Sequence, residues 1–212
     1  MQLKYGKEDN SALVKHLEKL NEIVKEIKVF TSNVLTPTTS RAEKNKTDIR
    51  LNLDYVQLQP VLNGILADLE QEADRKNVII HQVSPKEDVY VHADEVYLTT
   101  AFRNLIRYAL KFSQDDNQII VSTNIKFGKV YVEIMDRTRG VTQSTLDMLF
   151  NKLPESYSEA ENESKETQGI GLSVSKYLVE QMKGRIDYES SIELGLQFTI
   201  IFDLADPSYH EE

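Results

Sequence analysis

Between residues 49 and 204 the apolar positions keep changing period, and the order of those changes narrows the fold more than any other feature. Alternation with period two marks "IRLNLDYV" (49–56), "NVIIHQV" (77–83), "DVYVHA" (88–93), "QIIVSTNI" (118–125), "KVYVEIMD" (129–136), "RIDYESS" (185–191) and "LQFTIIFDL" (196–204) as strands. Helical spacing appears instead in "LQPVLNGILADLEQEADRK" (58–76), at Val61, Leu62, Ile65 and Leu69. A second helix is expected from a cap at Asp94 through Phe112, a short one near Ser144–Phe150 and another after Gly171. Phe127-Gly128 reads as the tip of a hairpin. Strands that arrive in pairs between helices predict an α+β fold, a two-layer α/β sandwich whose mixed, mostly antiparallel sheet is covered by helices on one face. A parallel doubly wound sheet would need a crossover helix between successive strands.

Upstream the pattern differs. Leu13, Leu17, Leu20, Val24, Ile27 and Val34 alternate by four and three, with Thr31 in the remaining slot and charged residues between. Such a seam fits a dimeric coiled coil or one edge of an ordinary amphipathic helix. The helix should end near Thr36-Pro37, because proline disfavours helical geometry in the residue before it. "TPTTSRAEKNKTD" (36–48) has no apolar period and reads as a linker. The expected organisation is a long N-terminal helix (1–35), the linker (36–48), a main domain (49–206) and a tail (207–212). Within the domain, "PESYSEAENESKETQ" (154–168) has almost no aliphatic content and five glutamates, and is expected to be mobile.

Composition excludes several chemistries. The chain has no cysteine, which removes disulfides, thiolate metal sites and cysteine nucleophiles. A net charge of −9 over 212 residues argues against nucleic acid as a partner, since phosphate neutralisation needs a cationic face. His16, His81, His92 and His210 lie far apart, with no zinc-site spacing. No apolar run approaches the roughly 18 residues of a membrane span, so no direct membrane contact is expected and a cytoplasmic location is.

Three segments could carry chemistry. In "TQGIGLSVSKYLVEQMKG" (167–184), Gly169 and Gly171 precede a helix, where free backbone N–H groups and the helix dipole favour an anion. A tight turn that packs the helix on the sheet is the alternative. Asp136 ends an apolar strand in "DRTRGV" (136–141). A carboxylate placed there needs a donor, either the exocyclic amine of a purine or the N-terminus of the helix near Ser144. In "ADEVYLTTAFRNLIRYALKFS" (93–113), Asn104, Arg107, Tyr108 and Lys111 recur at three and four, so they can share a polar stripe or a solvated face.

Taken in this order, the segments resemble the ATP-binding domain of sensor histidine kinases, within the wider ATPase superfamily that includes gyrase and Hsp90. The resemblance covers about residues 49–204. "DEVYLTTAFRNLIRYALKFS" resembles the asparagine box, usually NLxxNAxKYT, and "DRTRG" the first glycine box, DxGxG. "LFNKL" (149–153) is similar to the phenylalanine box, "TQGIGLSVSKYLVEQMKGRI" to the second glycine box, and "LGLQFTIIF" to the closing GTxFxxxLP strand. The leading helix then resembles the second helix of a dimerisation hairpin.

This resemblance implies ATP or ADP as ligand, with Asp136 binding adenine and Asn104 and Lys111 facing the phosphates. Arg107, Tyr108, Gly140 and Val141 would line the site, and Gly169, Ile170, Gly171 and Leu172 would form the hinge of a lid (141–168). It also implies a homodimer through residues 13–34, and a response regulator and phosphoacceptor domain as partners in an intact sensor protein, of which this would be the cytoplasmic part. The γ-phosphate would pass to a histidine outside this chain, because His16 in "KHLEKLN" does not match the family's HExRTPL acceptor motif.

The departures define a rival. Tyr108 stands where the family has its magnesium-coordinating asparagine, Thr138 replaces the first glycine of DxGxG, and Thr167 the first of the second glycine box. A protonated phenol is a poor ligand for a hard cation, which argues against Mg2+. Its ring is expected to point into the pocket that Asn104 and Lys111 share. The rival reading is a degenerate, non-catalytic nucleotide-binding or dimeric signalling module on the same fold.

Overall fold

The computed structural model describes residues 51–137, 140–151, 163–192 and 195–208, with the stretch 163–170 described by its backbone alone. The chain divides into two compact units, Met1–Ile49 and Arg50–Glu212. The expected dimerisation helix and the whole linker fall in the first unit and lie outside the described residues. Thr138, Arg139 and residues 152–162, which include most of the tract expected to be mobile, also lie outside them.

The second unit is built from β1 (Asp54–Gln57), α1 (Leu58–Arg75), β2 (Ile79–Val83), β3 (Tyr90–Ala93), α2 (Glu95–Phe112), β4 (Gln118–Lys126) and β5 (Lys129–Asp136). It continues with α3 (Gln143–Asn151), α4 (Glu163–Gln181), β6 (Arg185–Ser191) and β7 (Gly195–Asp203). Five strands form one sheet in the order β2-β4-β5-β7-β6. Only β2·β4 is parallel; the other pairings are antiparallel. The mixed, mostly antiparallel sheet is therefore as expected from the paired strands. β1 and β3 pair antiparallel in a separate two-stranded sheet. The first strand begins later than expected, at Asp54, because residues 51–53 take no place in a ladder.

Strand periodicity sets the core. On β5, Val130, Val132, Ile134 and Asp136 face inward, and on β7, Leu196, Phe198, Ile200 and Phe202 do. Each strand presents one apolar face to the helices, as period two requires. The tip of the β4–β5 hairpin is a two-residue turn, with Phe127 at φ 53 and Gly128 at φ 72. Positive φ at both positions matches the right-handed twist of the flanking strands.

Helix α2 lies between α1 and α4. Its start is fixed by Asp94, whose Oδ1 accepts from the Val96 and Tyr97 N–H groups at 3.0 and 3.2 Å. The same carboxylate accepts from the Asn52 N–H at 2.8 Å, which ties the entering chain to the helix. A cap of this kind stabilises a helix by about 1 kcal/mol. The far end is held by Lys76, whose Nζ donates to the carbonyls of Leu110, Lys111 and Ser113 at 2.8–2.9 Å. A cation there satisfies carbonyls that have no helical partner and complements the helix dipole. The start of α2 is thus fixed by its own capping residue and its end by a lysine that follows α1.

Candidate nucleotide site

Asp136 is the last residue of β5 and falls on the strand's inward face, so period two alone buries its carboxylate, which is 3% exposed. The register places Ile119 of β4 on one side of it and Leu196 of β7 on the other, both buried. Asn117 supplies a donor: its Nδ2 reaches Asp136 Oδ1 at 2.6 Å and Ser113 Oγ at 2.8 Å. The alternative role for Asp136, capping the helix near Ser144, is taken by another residue. Thr142 holds that position, with its hydroxyl accepting from the Thr145 N–H at 3.3 Å.

Beyond Asp136, Gly140 fits a space that admits no side chain. A Cβ there would lie 2.4 Å from the Gly195 carbonyl oxygen and 2.4 Å from Ser190 Oγ. Ser190 Oγ in turn donates to the carbonyls of Val141 at 2.7 Å and Gly195 at 3.1 Å. The exit of the first glycine box is thereby pinned to the β6–β7 connection. Gln143 adds a second tie, accepting from the Ser190 N–H at 3.0 Å on the edge strand β6.

The expected polar stripe on α2 divides into three. Arg107 turns toward α1, where its Nε lies 3.8 Å from Glu72, one turn beyond the Arg103–Asp68 pair at 2.6 Å. Asn104 faces α4, donating to the Gly171 carbonyl at 3.5 Å. Lys111 is exposed in the last turn. Tyr108 corrects the expectation most sharply. It does not project into a pocket shared with Asn104 and Lys111; it is 6% exposed, with its ring 4.5 Å from Phe112 and 6.0 Å from Phe198. Burial pushes its phenol up to about 12. A large apolar ring beside Phe198 gains more from the core than from solvent. A phenol kept protonated in this way does not fit the role of metal ligand. Among the described residues no cluster of three or more histidine or acidic side chains could hold a metal.

The packing continues across the sheet. Phe198 meets Phe150 edge to face at 5.7 Å, and Phe150 stacks on Tyr188 at 4.0 Å and 9°. Phe150, from the segment resembling the phenylalanine box, thereby docks α3 onto β6. Burial, and then the charge of Asp147, raises the Tyr188 phenol above its ordinary range.

The glycines of the second glycine box are also placed differently from expectation. Helix α4 begins at Glu163, so Gly169 and Gly171 lie inside it and not at its N-terminus. The segment "ESKETQ" is made largely of good helix formers, and their propensity outweighs a cost of about 1 kcal/mol per glycine. Ser175 ties α4 to α2: its Oγ lies 2.7 Å from the carbonyl of Gly171 and 3.3 Å from that of Ala101. Leu172 is buried in the core, and Ile170 is described by its backbone alone. Asn117 was not legible as a site residue, because "SQDDNQ" carries only the signal of a polar turn.

The family model described as histidine kinase-, DNA gyrase B-, and HSP90-like ATPase matches residues 93–206, more than half of the chain. The chain belongs to this ATPase family. Its α+β fold and the asparagine and glycine boxes read from the sequence agree with that membership. The heme sensor protein HssS of Staphylococcus saprophyticus is 27% identical over 203 residues, which cover 94% of this chain and 41% of that protein. The chain thus spans less than half the length of this relative. Among solved structures, Acinetobacter baumannii histidine kinase AdeS superposes with a TM-score of 0.65 at 18% identity, covering 96% of this chain and 88% of that one. Histidine kinase ThkA, solved in complex with response regulator protein TrrA, superposes with a TM-score of 0.62 at 17% identity, covering 99% of this chain and 54% of that one. Among the described residues no helix of this histidine kinase-like domain is long and apolar enough to cross a membrane.

Proposed function

We propose that this chain is the ATP-binding catalytic domain of a two-component sensor histidine kinase, donating the γ-phosphate of ATP to a histidine outside the chain. The observation that carries the reading is Asp136, a carboxylate 3% exposed at the inward end of β5 in a chain of the histidine kinase-like ATPase family. Buried carboxylates are retained where donors meet them, and an adenine amine is such a donor. Asn104 and Lys111 are the groups we assign to the phosphates, with Gly140 and Val141 shaping the approach to the ring. Arg107, paired with Glu72, and Tyr108 and Leu172, both buried, are assigned to the framework of the site. The intact protein would dimerise through the seam at residues 13–34, work at the cytoplasmic side of a cell and deliver phosphate to a response regulator. Histidine kinase ThkA has been solved in a complex of that kind, with response regulator protein TrrA.

A second reading, a non-catalytic nucleotide-binding module, is favoured by one observation. Tyr108 stands where the resemblance puts a metal-coordinating amide, and its ring is packed in the core. Calorimetric titration with ATP and ADP, with and without magnesium, tests both. Magnesium-dependent ATP binding together with phosphate transfer to an acceptor domain supports the kinase. Magnesium-independent binding without transfer supports the module, and absence of ATP binding defeats both.

A further inference from the structure

Asp136 stands in a row of three inward-facing residues, Ile119, Asp136 and Leu196, set by the register of β4, β5 and β7. Neither strand neighbour carries a side-chain donor. Asn117 lies two residues before Ile119 and is fixed at several points. Its carbonyl accepts from the Ile79 N–H at 2.9 Å, which joins it to β2. Its amide nitrogen has two hydrogens, and two acceptors take them: Ser113 Oγ at 2.8 Å and Asp136 Oδ1 at 2.6 Å. Reversing the amide would set its oxygen against the Asp136 carboxylate, acceptor facing acceptor, so the chemistry fixes the orientation. The short contact is a charge-assisted bond, stronger than one between neutral groups.

We infer that Asn117 is a positioning residue that holds the Asp136 carboxylate in the orientation that receives the exocyclic amine of adenine. This rests on the proposed role of Asp136. A carboxylate offers about four lone-pair sites, so it can accept the amine in addition to protein donors such as Asn117. A purine with an oxo group at the same ring position presents an acceptor instead, and meets a carboxylate that cannot turn away. Asn117 therefore sets selectivity for the amine by denying Asp136 the freedom to adapt.

The test compares ATP with purine riboside triphosphate, which has hydrogen in place of the amine, by titration calorimetry on the wild-type chain and two variants. Asn117→Ala is expected to weaken ATP about tenfold, the size of one hydrogen bond to a charged group, while the analogue changes by about twofold or less. Equal weakening of both ligands, or of neither, overturns the inference while leaving the proposed function standing. Asn117→Asp, nearly identical in shape, places two carboxylates at hydrogen-bond distance, where a shared proton replaces the amide hydrogen as pH falls. ATP affinity of this variant, relative to wild type at the same pH, should recover between about pH 8 and about pH 5. A flat ratio overturns the inference even if the alanine variant does not fold. A wild-type chain that binds no adenine nucleotide overturns both the inference and the proposed function.

Discussion

Asn104 of α2 donates to the carbonyl of Gly171 of α4, the same oxygen that takes the Ser175 hydroxyl. Because Gly171 lies within α4, its N–H belongs to the helix ladder. Phosphate binding by the backbone of Gly169 and Gly171 therefore requires the start of α4 to unwind. A Cβ at Gly171 would meet Asn104 Cγ at 3.6 Å, an ordinary contact, so alanine is accommodated. Gly171→Ala should stabilise the helix by about 0.5–1 kcal/mol and weaken ATP by about two- to fivefold, with adenosine little changed. Thermal unfolding and calorimetry with both ligands check this; unchanged ATP affinity in a stabilised variant would remove the unwinding step.

Tyr108 predicts a stability change at high pH. Its phenol is raised from 10.0 to about 12 by burial, so the folded chain keeps a proton that the unfolded chain releases between those values. The stabilisation is complete below the unfolded value and is lost as pH rises through the folded one. Tyr108→Phe should lie within about 0.5 kcal/mol of wild type near neutrality and lose less stability from about pH 9 to about pH 11. Denaturant midpoints across that range decide the matter; parallel curves would place the phenol in solvent.

Gly140→Ala should be among the most damaging single methyl additions. Its Cβ would sit 2.4 Å from the Gly195 carbonyl oxygen and 2.7 Å from that of Ser191, and backbone atoms cannot rotate away. Overpacking of this kind costs about 1–3 kcal/mol, a fall of roughly 3–10 °C in Tm for a chain of this size. Ser190→Ala, which only removes donors to Val141 and Gly195, should cost about 1 kcal/mol. A thermally unchanged Gly140→Ala would show that the β6–β7 connection yields.

The apolar seam from Leu13 to Val34 predicts a dimer. An apolar edge of this length is stable in water only against a partner surface. Light scattering should give a dimer for the full chain and a monomer for a version starting near Thr47. A full chain that stays monomeric at high micromolar concentration would assign the seam to an ordinary amphipathic helix.

Local rules made much of the fold legible. Asp94 before a helical pattern, Phe127-Gly128 between two alternating runs, and Asp136 at the inward phase of β5 are all settled within a few residues of chain. The same rules missed what depends on distant segments. Nothing near Tyr55 or Val91 announces that β1 and β3 pair with each other and stay out of the main sheet. Helical spacing put Arg107 and Tyr108 on one stripe with Asn104, yet Glu72 of α1 and Phe198 of β7 draw them apart. Asn117 lay hidden because its meaning comes from Asp136, nineteen residues away.

The run of rings from Phe112 through Tyr108, Phe198 and Phe150 to Tyr188 makes position 108 hard to reverse in descent. Replacing the tyrosine by asparagine would remove a ring from a filled space and leave an amide among apolar faces, at a cost of about 3–5 kcal/mol. Domains of this kind are stable by only about 5–15 kcal/mol, so that single exchange consumes much of the margin. A lineage with this core regains an amide at 108 only after a neighbour at 112, 150 or 198 has grown to refill the gap. The order of substitutions then matters as much as their chemistry: packing acts as a ratchet that holds the position as tyrosine even where a metal ligand would be useful.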